Sequence, residues 1–300
     1  MARSTSFPNH LLDAAARQQL GRRRNGPAIA RLAAHLATLG VTGVLVWSSR
    51  GTWWVAPGLV VHGIVLVFLF APLHETIHDT AFRTRALNRW VAAMLGTALL
   101  LPANYFRHFH AAHHRLTNIP GDPELSGRGR ETVGDYLWHL SGWPLWRERV
   151  SSLLRHALGR GVEPFVPRYR RRAIVCEARV TLGVYVALGA AGWSLGCIAA
   201  LLWLWVLPML VGQPFLRVFL LAEHGGRPQT PDMLRNSRTT RSTAVVRALA
   251  WNMPYHSEHH AFPWVPFHAL PALHTRIKQD LVGVAPSYAG TLIGLLRAAR

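Results

Sequence analysis

Cysteine is nearly missing. Only Cys176 and Cys197 occur among 300 residues, far apart and each near or within an apolar run. With no CxxC and no four-cysteine set, the chain holds no zinc ribbon, rubredoxin or iron–sulfur centre of its own. A disulfide framework is equally unsupported. Lysine is scarcer still, because Lys278 is the only one and the basic excess is nearly all arginine. Charged residues make up 16% of the chain, well below the roughly 25% of an ordinary soluble domain. What is plentiful is apolar surface (half the residues), with 12 Trp and 17 His. A net charge of +19 would suit nucleic acid or an anionic membrane surface. The apolar runs decide for the membrane, and no nucleic-acid partner is expected. The first run starts only near Leu32, after "RRRNGPAIAR", and no clear cleavage site follows it, so the N-terminus does not resemble a signal peptide. Residues 1–28 read as a basic cytoplasmic arm with a short amphipathic helix over 10–20, and 29–300 as a single membrane domain.

Residues 32–49 and 53–73 are long enough to span, since about 20 apolar residues cover the hydrocarbon core. The short connection between them carries Arg50. A second hairpin runs from about 180 to 194 with some preceding residues, breaks at "GWSLG" (192–196), and continues over 197–221. Residues 1–31 hold six Arg and one acid, and the segments 107–172 and 222–300 are also densely basic. Cytoplasmic segments carry the Arg/Lys excess, so both hairpin tips face outward and both termini lie inside. Residues 91–106 are apolar but short and interrupted by Pro102. Were they to cross, the charge pattern would fail, so they read as re-entrant or interfacial. The expected fold is an all-α integral membrane protein: about four transmembrane helices in two hairpins, interfacial or re-entrant helices, and a cytoplasmic metal-binding cap.

The histidines fall where the spans meet that cap. "HETIH" places His74 and His78 four apart, the HExxH pattern of zinc peptidases. "HFHAAHH" adds His110, His113 and His114, and "HSEHH" adds His256, His259 and His260, both in HxxHH spacing. His224 stands alone in "LAEHGG". By chance one HxxHH would occur about 0.05 times in such a chain, and two about once in a thousand, so the set is read together. On a helix, positions i, i+3 and i+4 share one face. Each box therefore projects its imidazoles toward one metal or splits them between two. Nine imidazoles exceed the needs of a tetrahedral zinc and suit two metals with four or five nitrogens each. Imidazole itself accepts iron, copper, zinc or nickel. An intramembrane zinc metallopeptidase using "HETIH" would leave seven clustered histidines unexplained.

The stretches "HETIHDTAF", "HFHAAHHRLTNIPGDPE", "LAEHGG" and above all "WNMPYHSEHHAFPWVPF" resemble the membrane fatty acid desaturase superfamily, the histidine-box non-haem diiron enzymes. The resemblance covers roughly residues 50–275. It implies an O2-dependent oxidoreductase with two iron ions ligated by the nine histidines, acting on a membrane lipid or acyl chain, most closely as an acyl-lipid desaturase. Hydroxylation or ketolation of a lipid or carotenoid is the alternative outcome. Electrons would come from an external donor such as ferredoxin and its reductase, docking on the arginine-rich face. An asparagine that helps hold a metal in the acyl-CoA branch is replaced here by Leu220, four residues before His224, with Asn252 as a possible substitute. Carboxylates often orient metal-bound imidazoles; Glu75, Asp79, Asp122, Glu223 and Glu258 are the candidates. His108 is the next histidine in line. His35 and His62 are read as neutral, hydrogen-bonded packing groups, and His268 and His274 as surface residues.

Overall fold

The computed structural model describes residues 7–124 and 132–299. The chain starts with helix α1 (Ala14–Leu20), whose first turn is capped by the Asp13 carboxylate accepting from the Ala16 N–H at 2.7 Å. Leu12, Ala16 and Leu20 are buried, so α1 docks on the rest of the protein. Helix α2 (Asn25–Ser48) is the first span. After a tight tip, α3 (Val55–Val67) and α4 (Phe70–Ile77) continue as one apolar stretch, Val55–Ile77.

The chain then enters α5 (Arg85–Ala98) and α6 (Ala103–Leu116), which are bent by 98°. The bend is built into the sequence. Pro102 begins α6, and Leu100 adopts a positive φ of 52°. Gly96 is needed because a Cβ there would lie 2.6 Å from the Leu101 carbonyl. The exposed carbonyls at the end of α5 are taken by three other elements. Tyr185 donates to Thr97 O (2.5 Å), Trp205 to Ala98 O (2.7 Å) and Arg149 to Leu99 O (2.7 Å). The first N–H groups of α6 donate to the Glu177 carboxylate. Broken helices persist at membrane depth only when the freed backbone groups find such partners.

Helices α7 (Val133–Leu140) and α8 (Trp143–Ala157) precede the second hairpin. This consists of α9 (Arg171–Ser194) and a fourth span, Ile198–His224, made of α10 (Ile198–Leu201), a π turn (Leu202–Val206) and α11 (Leu207–His224). Among the described residues, four helices are thus long and apolar enough to cross a membrane, as the sequence led one to expect. The second and fourth spans touch backbone to backbone. A Cβ on Gly212 would sit 2.2 Å from Gly63 O, and one on Gly63 2.6 Å from Pro208 O. Small residues permit such approach. The π turn leaves Leu204 O 3.1 Å from His62 Nε2, while His62 Nδ1 lies 2.8 Å from Thr42 Oγ1. His35 Nε2 faces Val65 O at 2.9 Å. Both histidines are bonded packing groups. Val41, Val44, Val180 and Val186 are exposed on α2 and α9, and Trp53, Trp54 and Trp193 are exposed at the hairpin tips, the distribution of lipid-facing surface and interfacial anchors.

The rest forms a polar cap: α12 (Met233–Asn236), β1 (Thr239–Thr240), α13 (Ala244–Leu249), α14 (His256–Ala261), α15 (Leu270–Ile277), β2 (Val284–Ala285) and α16 (Tyr288–Ala298). The two short strands pair in parallel, closing the loop that contains α13 to α15. Trp251, Phe262, Phe267, Leu273 and Ile277 are fully buried beneath it. Burial of each such side chain contributes about 1.5–3 kcal/mol, which holds α14 rigidly over the ends of the spans.

Candidate metal centre

All nine histidines of the three boxes and "LAEHGG" meet in one place. His74 lies on α4 and His78 caps its end; His110, His113 and His114 lie on α6. His224 is the last residue of α11, and His256, His259 and His260 lie on α14. Helical periodicity then sorts them. His74, His78, His110, His114 and His259 offer ring nitrogens that all lie within 4.8 Å of one another, and so do those of His113, His224 and His260. His256 joins the second group, its Nε2 2.9 Å from His224 Nε2. Each HxxHH is therefore divided. On α6 the i, i+4 pair His110/His114 enters the first group and His113 the second. On α14 the pair His256/His260 enters the second and His259 the first. The rings of His114 and His260 stack at 4.2 Å where the groups meet.

Both α4 and α6 end at this cluster, and the bent pair α5–α6 between them is by length and composition either a broken span or a re-entrant loop.

The protonation pattern follows from the partners. His113 Nδ1 faces the Asp122 carboxylate at 2.9 Å, and His224 Nδ1 faces the Asn236 carbonyl at 3.1 Å. Neither acceptor carries a proton to give, so both Nδ1 atoms donate. Thr117 gives its hydroxyl proton to His113 O (2.8 Å) and so accepts from His260 Nδ1 (3.2 Å). Three imidazoles of the second group are thereby set with Nε2 unprotonated. His256 Nδ1 lies 3.2 Å from Glu223. In the first group, Nε2 of His110 lies 2.7 Å from that of His74 and 3.0 Å from that of His114. His78 Nε2, His260 Nε2 and both nitrogens of His259 are buried without a hydrogen-bond partner. Burial first, and neighbouring imidazoles second, push His110, His114, His259 and His260 well below the ordinary histidine range. Buried, neutral imidazoles with converging lone pairs are what a metal ion needs and what protein alone leaves unsatisfied.

The carboxylates sort less evenly. Asp122 faces His113, and Glu223 lies near His256. Asp79 does neither. It adopts a positive φ of 58° and pairs with Arg107 at 2.9 Å, turned away from the rings. Glu75 is fully buried and accepts from Thr80 Oγ1 (3.0 Å) and the Phe267 N–H (3.2 Å), tying α4 to the cap. Glu258 is fully buried between Thr239 and His274 and bonds no clustered imidazole. His274, expected at the surface, is thus a half-exposed partner of box three, its ring tilted against that of Tyr255. Asn252 also departs from expectation: its amide donates to Phe267 O at 3.0 Å, fixing the loop before α14. Leu220 brings no polar group, and His108 joins neither group. Glu124 was not anticipated. It lies 3.6 Å from His110 and 3.8 Å from His113; its position ten residues beyond the box, after a Gly and two Pro, gives no periodic signal.

A cavity of about 660 Å³ opens beside the histidines. Phe68, Phe70, Phe106, Phe109, Leu216 and Phe219 line it, and His74, His110, His113 and His256 reach it. Size and lining are those of a site for a largely apolar molecule.

The profile of the fatty acid desaturase family matches residues 51–291. The mouse sphingolipid delta(4)-desaturase/C4-monooxygenase DES2 is 26% identical over 245 residues, covering 75% of this chain and 67% of its own. The Synechocystis sn-1 acyl-lipid omega-3 desaturase (ferredoxin) is 24% identical over 243 residues, 74% of this chain and 67% of its own. The Vernicia fordii Delta(12)-fatty-acid desaturase FAD2 is 23% identical over 274 residues, 80% and 68% respectively. With most of its length matched, and its histidine boxes folded into one buried cluster at the ends of four spans, the chain belongs to the fatty acid desaturase family of membrane oxidoreductases.

Proposed function

We propose that the nine histidines hold two iron ions, five imidazoles around one and four around the other, and that the chain inserts a double bond into a long acyl chain held in a membrane lipid. The observation that carries this reading is the division of the cluster into two groups with unprotonated, inward-facing nitrogens. When bound, the irons supply oxidation of an unactivated C–H bond by dioxygen. Atoms and electrons balance as follows: the substrate gives up two hydrogens, an external donor gives two electrons, solvent gives two protons, and one O2 leaves as two waters. Lacking cysteine ligands, the chain depends on that donor, for which ferredoxin and its reductase are the proposed pair. The ferredoxin named for the Synechocystis relative supports the choice, as does the net charge of +19 facing an acidic carrier.

The remaining work falls to the protein. Phe70, Phe106 and Phe109 orient the acyl chain and exclude water from the reacting carbons. Asp122 and the Asn236 carbonyl hold the Nδ1 protons of His113 and His224 and fix their ring orientation. The arginine excess on the non-tip segments supports a cytoplasmic position for the cluster and both termini.

A second outcome, hydroxylation, is favoured by the desaturase/C4-monooxygenase relatives. The two diverge only in whether the second step removes hydrogen or returns oxygen. A zinc peptidase reading explains two of the nine clustered histidines and is set aside. The test is expression with ferredoxin and its reductase in a host lacking such enzymes, followed by mass spectrometry of total lipids. Acyl chains lacking two hydrogens support desaturation. Chains that gain one oxygen, with none losing hydrogen, reject it in favour of hydroxylation.

A further inference from the structure

Arg149 is out of place by the usual rules for charge. It projects from α8 into the wall of the cavity, yet its relative exposure is 8%. One N–H donates to Leu99 O at 2.7 Å, while Nε is buried with no partner. No carboxylate among the described residues pairs with it. The acids near the cavity are otherwise engaged. Glu148 accepts from Ser152 (2.7 Å) and Arg155 (3.3 Å), and Glu163 from His156 (2.9 Å). Asp135 caps α7 through Thr132, and Glu124 and Glu223 face histidines. The charged group closest in effect to Arg149 is another cation, Arg217, which also lines the cavity. Burial first, and Arg217 second, push the Arg149 guanidinium down to about 9, with Tyr185 opposing.

An unpaired buried charge is costly, and proteins retain one where something else supplies the counter-charge. Capping α5 explains one donor out of the five a guanidinium carries, and an uncharged amide would cap as well. Arg217 stands seven residues before His224 on the same helix, roughly 10 Å by helical rise. A group seated at this pair therefore lies a short length of chain from the histidines.

We propose that Arg149 receives an oxyanion at one end of the bound lipid, a fatty acid carboxylate or a lipid phosphate, and holds it in register with the metal cluster. This rests on the reading that the cavity holds the substrate. Arg is suited to the task because its planar fork binds such groups in bidentate fashion. The consequence is selection by charge: an acid is held in place, and its neutral ester is not.

Native mass spectrometry of the purified chain in neutral detergent tests this without iron or turnover, so it stands apart from any failure to find activity. The probes are stearate against methyl stearate, and dioleoylphosphatidylglycerol against dioleoylglycerol. Stearate should bind roughly 10- to 100-fold more tightly than its ester, the range for a hydrogen bond to a charged group. Arg149→Gln, which keeps a donor for Leu99 O, should abolish that difference, and Arg149→Lys should keep part of it. If only the phosphatidylglycerol depends on Arg149, the anion is a lipid phosphate. Equal binding of charged and neutral partners in both pairs by the unmodified chain overturns the proposal, whether or not the variants fold. Unchanged anion binding by a folded Arg149→Gln overturns it as well.

Discussion

Changing Asp122 to Asn removes one charge from the second histidine group and little else. The carboxylate is fully buried. It accepts from His113 Nδ1 at 2.9 Å and from the backbone N–H groups of Asn118 (2.8 Å) and Glu124 (2.9 Å). Asparagine keeps one acceptor oxygen and turns the other into a donor, which must face His113 or a backbone N–H. At least one charge-assisted bond is lost, worth about 1.5–3 kcal/mol, and His113 Nδ1 keeps at most a neutral acceptor. Losing such a carboxylate costs roughly 10- to 100-fold in metal affinity, and here the loss should fall on one metal of two. Chelator competition followed by elemental analysis should show one iron lost early and the other retained. Asp79→Asn is the control. Its pair with Arg107 is partly exposed, worth about 0–1 kcal/mol, and touches no histidine. Equal retention of both irons by Asp122→Asn, or an equal loss in Asp79→Asn, would refute the reasoning.

Gly212→Leu should lower the melting temperature in detergent sharply, because its Cβ alone would lie 2.2 Å from Gly63 O, whereas Gly183→Ala, facing open space, should not. His274→Ala strips the buried Glu258 carboxylate of its half-exposed imidazole partner and should destabilise the fold by about 1–3 kcal/mol; an unchanged denaturation midpoint would show that the pair carries no stability. His156→Ala should leave iron content intact but lower turnover by about tenfold, since His156 is buried at the cavity wall and holds Glu163 at 2.9 Å; full activity would remove it from the substrate's surroundings. Reporters fused after residues 130 and 300 should appear on the same side of the membrane, and opposite signals would contradict the re-entrant reading of α5 and α6.

Eight of the nine histidines could be found in the sequence because their spacing is local, while His224 stands alone at the end of the fourth span. A helix converts i, i+3 and i+4 into one face whatever surrounds it. The break at Pro102 was readable for the same reason. Which histidine enters which group depends instead on how α6 and α14 cross, and no spacing encodes that. The carboxylates show the difference most clearly. Asp79 and Asp122 both follow a box closely, yet Asp79 leaves the helix in a left-handed turn and meets Arg107, while Asp122 folds back nine residues onto His113. His274 pairs with Glu258 across sixteen residues and Arg149 reaches Leu99 across fifty. Both contacts are made by tertiary packing, and the residues looked ordinary in the sequence.

Metal counting on the purified chain bears most directly on the central claim. After expression with iron and zinc both supplied, elemental analysis should find about two irons per chain. His74→Ala and His224→Ala should each fall toward one, since the two residues belong to different groups. One zinc per chain with no iron, lost on His74→Ala and untouched by His224→Ala, would contradict a two-iron centre and leave only a peptidase-like zinc site.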